Sequence, residues 1–489
     1  MQKNLLFLFL LCSAWCSAQN SSYWQHVNGG PGVEAGYGVR SCLDQGYIVV
    51  GTSASSGPSD GYIVRLDSIG LVMWTKFYGG NNIDIIRAVE LMPDSGFIMA
   101  GYTNSFGNGG YDGWLLRTDK NGDTLWTRTV GTSDWDFFYD VHVTADSGFL
   151  CAGGTYGVGA GDEDMYLVKL DSMGDTVWTR TYGGALQDEA RGAVETEDLR
   201  MAIAGFTYSL TDTLGDSWLL RLESNGDTVW TRTYGDLNVE DKAYGLTYDS
   251  TFDVLFYCGY TMATGLGDAY FQGVFYDDTT WFTINGNGAT GLEEFYAVKT
   301  GPLCYPVAAA GTTFTFGGGQ GDMFLFSTYG SWISTSFGTI FEEHAYDLDL
   351  THDGGYVLCG TTRGFNSTAT ADQMYVVKTD TNAFSPSIVS VPEVSDNGTK
   401  TAVTAFPVPA DDHLDLQILT SEYNSTLSLT IYNSLGEIVS VVPSPEFTHT
   451  DAHHANVRVE TGTFTPGIYL YVLNSGTETL YSKQFIIAR

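Results

Sequence analysis

Basic residues are scarce in this chain. Its 22 Lys and Arg stand against 57 Asp and Glu, a formal net charge of −35. So acidic a surface repels the phosphate backbone of nucleic acid and the headgroups of anionic lipid, which argues against both as partners. Cysteine is sparse too, at 7 in 489 residues. Cys12 and Cys16 fall in the first 18 residues, which leaves an odd number: Cys42, Cys151, Cys258, Cys304 and Cys359. A disulfide needs Cα atoms within about 7 Å. Cys151, Cys258 and Cys359 occupy the same place in repeated units that are not neighbours, so they are expected as small buried apolar residues. Apolar runs are short. A bilayer span takes about 20 residues, whereas the run Leu5 to Leu11, preceded by Lys3 and followed by Cys16-Ser-Ala18, reads as a secretory leader, residues 1–18, cleaved after Ala18. No lipobox-like run precedes either early cysteine, so neither a lipid anchor nor membrane insertion is expected. Proline numbers only 12 against 59 Gly, with 14% aromatic residues; that balance suits turn-dense β structure and not disorder.

What is present is a period. Trp24, Trp74, Trp126, Trp178, Trp230, Trp281 and Trp332 stand 50 to 52 residues apart. Around them one unit repeats: Asp112-Gly-Trp-Leu-Leu-Arg-Thr-Asp119 through Trp126 returns as Asp164-Met-Tyr-Leu-Val-Lys-Leu-Asp171 through Trp178, and as Asp216-Ser-Trp-Leu-Leu-Arg-Leu-Glu223 through Trp230. Upstream of each lies a second apolar run, such as Phe97 to Thr103 or Phe149 to Thr155. Gly, Asp, Asn and Ser punctuate the runs and leave no room for helices. Runs such as Tyr47-Ile-Val-Val50 do not alternate polar with apolar, so both faces are covered. Four short strands per unit, repeated at this spacing, predict an all-β chain with a seven-bladed β-propeller over residues 19–380. The chain opens on a Trp-bearing strand and its last unit has none, so the N-terminal strand is expected to complete the seventh blade and remove a sheet edge.

The period stops near residue 381. Residues 381–402, with Ser385-Pro-Ser and Asp396-Asn-Gly, read as a linker. Residues 403–489 carry strand-like runs that predict a small β-sandwich. Phe406-Pro-Val-Pro-Ala410, Leu429-Thr-Ile-Tyr-Asn-Ser-Leu-Gly-Glu437, Phe464-Thr-Pro-Gly-Ile-Tyr-Leu-Tyr471 and Lys483-Gln-Phe-Ile-Ile487 resemble the type A C-terminal sorting domain of the Bacteroidetes type IX (Por) secretion system, with Pro407, Pro409, Gly436, Gly467, Tyr469 and Lys483 at the motif positions. The segment departs from that family's Tyr-Pro-Asn-Pro opening at Val408 and carries an insert, Pro443 to Asn456. The resemblance implies leader-dependent export to the periplasm, passage across the outer membrane through the type IX machinery, and release or surface attachment. The upstream units resemble β-propeller repeats of secreted bacterial proteins, a likeness of fold that implies no single activity.

Chemistry is sought in acids that recur with the period. Glu34, Asp84, Asp136, Asp188, Glu240, Glu293 and Glu342 follow the Trp by about ten residues, and Asp60, Asp112, Asp164, Asp216, Asp268, Asp322 and Asp372 open the third strands. Propeller topology puts both series at one face. Recurrence in every blade is what a loop cap accepting backbone N–H groups requires; the same oxygens suit Ca²⁺, with Asp162 and Asp164 beside a Gly-rich loop as the metal candidates. Arg87 and Arg191 take a place held elsewhere by Tyr, either as inter-blade ion pairs or, with the acids and Tyr, as a mouth for sugar. No triad, His/Cys cluster or phosphate loop is seen, and no single acid pair stands out for glycoside hydrolysis. The expectation is a monomeric secreted or cell-surface binding protein for glycan or another extracellular ligand, with a carbohydrate-active enzyme and a passive adhesive protein as alternatives.

Overall fold

The computed structural model describes residues 23–487 except 30–31, 56, 211–213, 264–266, 276–279, 286–291, 302–306, 316, 318–319, 329–332, 364–370, 384, 386–401, 407–412, 420–426, 434–437, 444–447, 450–453, 465–466 and 476–477. The leader, Cys304, Trp332, Pro407, Pro409 and Gly436 therefore lie outside the described residues. Among those described the chain is all β. Seven four-stranded antiparallel sheets succeed one another. Their innermost strands are Glu34–Ser41, Asp84–Leu91, Asp136–Val143, Asp188–Glu195, Asp241–Asp249, Glu293–Thr300 and Glu343–Leu350, here blades 1 to 7. Each innermost strand touches those of the blades on either side, the seventh touching the first.

Second and third strands such as Phe149–Thr155 and Asp164–Leu170 are buried along their whole length, which is why their sequence shows no alternation. Seven apolar clusters form, each between two consecutive blades. One of them joins Val357, Cys359, Met374 and Val376 of blade 7 to Val39, Val49 and Val64 of blade 1. Each fully buried aliphatic side chain contributes about 1.5–3 kcal/mol. Trp24–Asn28 pairs antiparallel with Gln373–Lys378, from Trp24 opposite Lys378 to Asn28 opposite Met374, as the outer strand of blade 7. The seam with blade 1 is also tied electrostatically: Arg40 reaches Asp347 of blade 7 at 2.6 Å, while its other arm pairs with Glu90 of blade 2 at 2.9 Å. Asp347 and Asp349 accept the Val39 and Ser41 N–H groups.

The regular Trp spacing has a packing cause. The hairpin between third and fourth strands turns on a glycine in the left-handed region, Gly122 at φ 78° and Gly174 at φ 79°. The Trp of the preceding blade packs against it: a Cβ on Gly174 would stand 2.8 Å from the Trp126 ring, and one on Gly122 the same distance from Trp74. Asp119 spends its carboxylate on the Asn121 and Asp123 N–H groups of this turn. At the same end of the blades, third-strand bases are buried against turn acids: Arg65 on Asp44, Arg117 on Asp94, Lys169 on Asp146, Lys378 on Asp353. Cys42, Cys151, Cys258 and Cys359 are free and buried.

Residues 402–487 form two further four-stranded sheets. Leu414, Leu416, Val457 and Val459 of one face Leu429, Ile431, Tyr469 and Tyr471 of the other across a shared core, a small β-sandwich. Gly467 opens the strand Gly467–Ser475, Tyr469 is buried, and Lys483 pairs opposite Tyr471. His449 and His454 fall in the strands Thr448–His449 and His454–Glu460.

Candidate ligand site at the axial mouth

All seven innermost strands start at the same end of the central channel, where the two acidic series meet. Their carboxylates are turned into the loops. Asp84 accepts Gly80 N–H and Ser105 Oγ–H, both at 2.7 Å, and the hydroxyl of Thr103. Asp188 repeats this with Gly184 and Ser209, Asp136 with Thr132, and Glu34 and Glu293 take Ser53 and Thr313. In the second series Asp112 and Asp164 accept the N–H of Asn108 and Ala160. All of these acids are buried, as loop caps are. Three register positions need correction. Asp241, opposite Thr261, and Glu343, opposite Thr362, occupy the cap position assigned to Glu240 and Glu342, because one extra residue separates Trp from acid in those units. In blade 7 the third-strand position is Gln373 and not Asp372. Glu240 and Glu342 are left half-buried at the mouth, on Lys242 at 2.8 Å and Arg363 at 3.1 Å; Asp372 also pairs with Arg363, at 2.5 Å.

Three residues further along, every innermost strand carries a β-bulge, and a bulge re-aims its side chain. The bulge residues are Tyr37, Arg87, Tyr139, Arg191, Tyr244, Tyr296 and Tyr346, one per blade and all half-buried. They form an unbroken ring. Arg87 stands 4.0 Å from the Tyr37 ring centre and 5.9 Å from that of Tyr139; Arg191 stands 4.1 Å from Tyr139 and 5.5 Å from Tyr244. Tyr244 meets Tyr296 at 5.1 Å, Tyr296 meets Tyr346 at 5.6 Å, and Tyr346 meets Tyr37 at 5.3 Å. The inter-blade contacts of both arginines are thus cation–π contacts, each worth about 0.5–2 kcal/mol, in place of the expected inter-blade ion pairs. Among the described residues the one ion pair of the two arginines is within a strand, Arg191 to Glu189 at 2.6 Å.

Above the ring the symmetry breaks between blades 2 and 4. Phe137 packs within 4.9 Å of Tyr102, 5.7 Å of Tyr111 and 6.4 Å of Trp135. Trp135 is 52% and Tyr156 39% exposed, so this platform offers aromatic faces to solvent. Beneath it lies Glu163, buried, accepting from Tyr156 Oη at 3.0 Å and Gln187 Nε2 at 2.9 Å. Gln187 Nε2 also reaches Glu189, at 3.5 Å. Burial, and then the neighbouring Glu189 carboxylate, push the Glu163 carboxyl up to about 7. Its space exists because residue 154 is glycine: the Glu163 carboxyl overlaps the place of a Cβ there. The equivalent residues in the other blades are Thr52, Tyr102, Phe206, Tyr260, Thr312 and Thr361. Asp162, one of the two metal candidates, is exposed while Asp164 is tied to its loop, and among the described residues no three His, Cys, Asp or Glu come together as a metal site.

Residues 404–488 match the family model of the secretion system C-terminal sorting domain. That match bears out the reading of this segment as a type IX secretion tail, and with it go contact with the secretion machinery and a secreted or cell-surface location. No curated protein matches the chain. Among solved structures it is similar to Sqt1 from Chaetomium thermophilum (13% identity, 70% of this chain and 82% of that one, TM-score 0.42). It is also similar to an alpha-L-arabinanase from Penicillium chrysogenum complexed with arabinobiose (11%, 60% and 92%, 0.41), and to the acylaminoacyl peptidase of Pyrococcus horikoshii (10%, 80% and 59%, 0.42).

Proposed function

We propose that the chain is an exported propeller protein whose axial mouth binds an extracellular glycan, with residues 1–18 acting as the leader for the first export step. The observation that carries the reading is the exposed aromatic platform of Trp135 and Tyr156 set against a ring of Tyr and Arg at the channel mouth. Aromatic faces stack on the C–H faces of sugar rings, while Tyr hydroxyls, Arg and the mouth acids Glu240 and Glu342 supply converging hydrogen bonds. The caps Glu34, Asp84, Asp136, Asp188 and Glu293 support this surface by fixing the loops that form it. A second reading, hydrolysis, draws on the Glu163–Glu189 pair: an acid protonated near neutrality beside a second carboxylate is the pairing that glycoside cleavage uses. A panel of insoluble polysaccharides scored for both retention and new reducing ends separates the two. Retention without release is the expected result. Release that is lost in Glu163→Gln would make the protein an enzyme, and neither retention nor release would leave a passive surface role.

A further inference from the structure

We infer that Arg87 is an anion-recognition residue of the axial mouth and that the bound glycan carries a carboxylate there, as a uronate sugar does. This rests on the glycan reading above and narrows it. Arg87 and Arg191 occupy the same bulge position two blades apart, yet the chain treats them differently. Two residues before Arg191, on the same side of its strand, stands Glu189, which pairs with it at 2.6 Å. Two residues before Arg87 the same place holds Ile85. The charged and titratable groups that face Arg87 are Tyr37, Tyr102, Tyr139 and, in repulsion, Arg191. Its Nη2 donates a long bond of 3.3 Å to Tyr102 Oη, and its Nε is buried with no acceptor. In a chain of 57 acids, a guanidinium that no carboxylate meets among the described residues is a conspicuous omission, since buried charges are normally paired.

The geometry completes itself with a ligand. Tyr37 stacks on Arg87 and orients the planar fork, and a carboxylate satisfies such a fork with two parallel bonds. The Tyr102–Phe137–Trp135 platform adjoins Arg87 through Tyr102, so a sugar ring stacked on the platform places an exocyclic carboxylate within reach of the guanidinium. No bond is made or broken in this binding.

Titration calorimetry of the full chain with tri-galacturonate, matched against galactotriose, tests the assignment. The expected result is binding of the uronate that falls about tenfold or more in Arg87→Gln and only in part in Arg87→Lys, which keeps charge but loses the fork. Ile85→Glu, which gives Arg87 the counter-ion that Glu189 gives Arg191, should weaken uronate binding comparably with the arginine still in place. Melting temperatures of the three variants establish that they fold, and Ile85→Glu decides the matter if Arg87→Gln does not. Uronate binding unchanged in both Arg87→Gln and Ile85→Glu overturns the inference. So does a preference for galactotriose, which would leave the glycan reading standing, and so does binding of a sulfated trisaccharide in place of the uronate. Failure to bind any glycan removes both readings together.

Discussion

Replacing Glu163 by Gln isolates a buried acid of the mouth. In the folded chain this carboxyl holds its proton up to about pH 7, against 4.5 for its ordinary value. The folded state therefore binds the proton more tightly than the unfolded state does. Its contribution is fully present below about pH 4.5 and is lost as pH climbs through about 7. The gap amounts to on the order of 3 kcal/mol at pH 8. Gln keeps the acceptor oxygen that Tyr156 and Gln187 require but never ionises. Its amide group, pressed toward Gly154, lacks an evident acceptor and costs about 1 kcal/mol at any pH. Glu163→Gln should thus melt at or slightly below wild type at pH 5 and a few degrees above it at pH 8, the crossover falling between. Scanning calorimetry at half-unit pH steps reads this directly. A melting difference that stays flat from pH 5 to 8 would refute both the burial of this acid and its coupling to Glu189.

Other parts of the account are equally exposed to test. Gly174→Ala forces a left-handed φ on alanine and drives a methyl group into the Trp126 ring, so thermal unfolding should show a loss of about 1–3 kcal/mol. An unchanged melting temperature would mean that this packing does not set the Trp period. Deleting residues 19–29 strips the outer strand from blade 7 and bares the Gln373–Lys378 edge, which should lower the melting temperature and produce concentration-dependent association by light scattering; a stable monomer would contradict the role given to that strand. Because the acids of both series are already engaged by their loops, millimolar Ca²⁺ and chelator at matched ionic strength should give the same melting temperature, and a clear rise with Ca²⁺ would show a cation site among them.

Most of the architecture was legible in the residues because a propeller writes itself as a period. The Trp marks where an outer strand meets the next blade's hairpin glycine, and the unbroken apolar runs mark strands covered on both faces. The acids were legible as a series but not in register: a count from Trp missed the one-residue insertions that displace the cap to Asp241 and Glu343. The mouth was harder to read, for a physical reason. The place that Arg87 and Arg191 share with Tyr37 and its equivalents was legible as a repeat position, but not the bulge in seven separate strands that closes these side chains into one ring. Glu163 and Glu189 lie 26 residues apart, and Glu163 finds room only because Gly154 has no side chain. The signals that did exist were departures from the repeat: Trp135, one of 11 Trp and out of phase with the period, and Gly154, where the other blades place Thr, Tyr or Phe.

The central claim is that the ligand is held at the axial mouth and not on the outer wall of the ring. Retention on an insoluble polysaccharide, compared between Trp135→Ala and Val177→Ser, tests it most directly. Trp135 belongs to the mouth platform, whereas Val177 is 60% exposed on an outer strand. The account predicts that Trp135→Ala, folded by its melting temperature, loses retention at least about tenfold while Val177→Ser is retained like wild type. Equal retention of the two variants, or loss only in Val177→Ser, would contradict it.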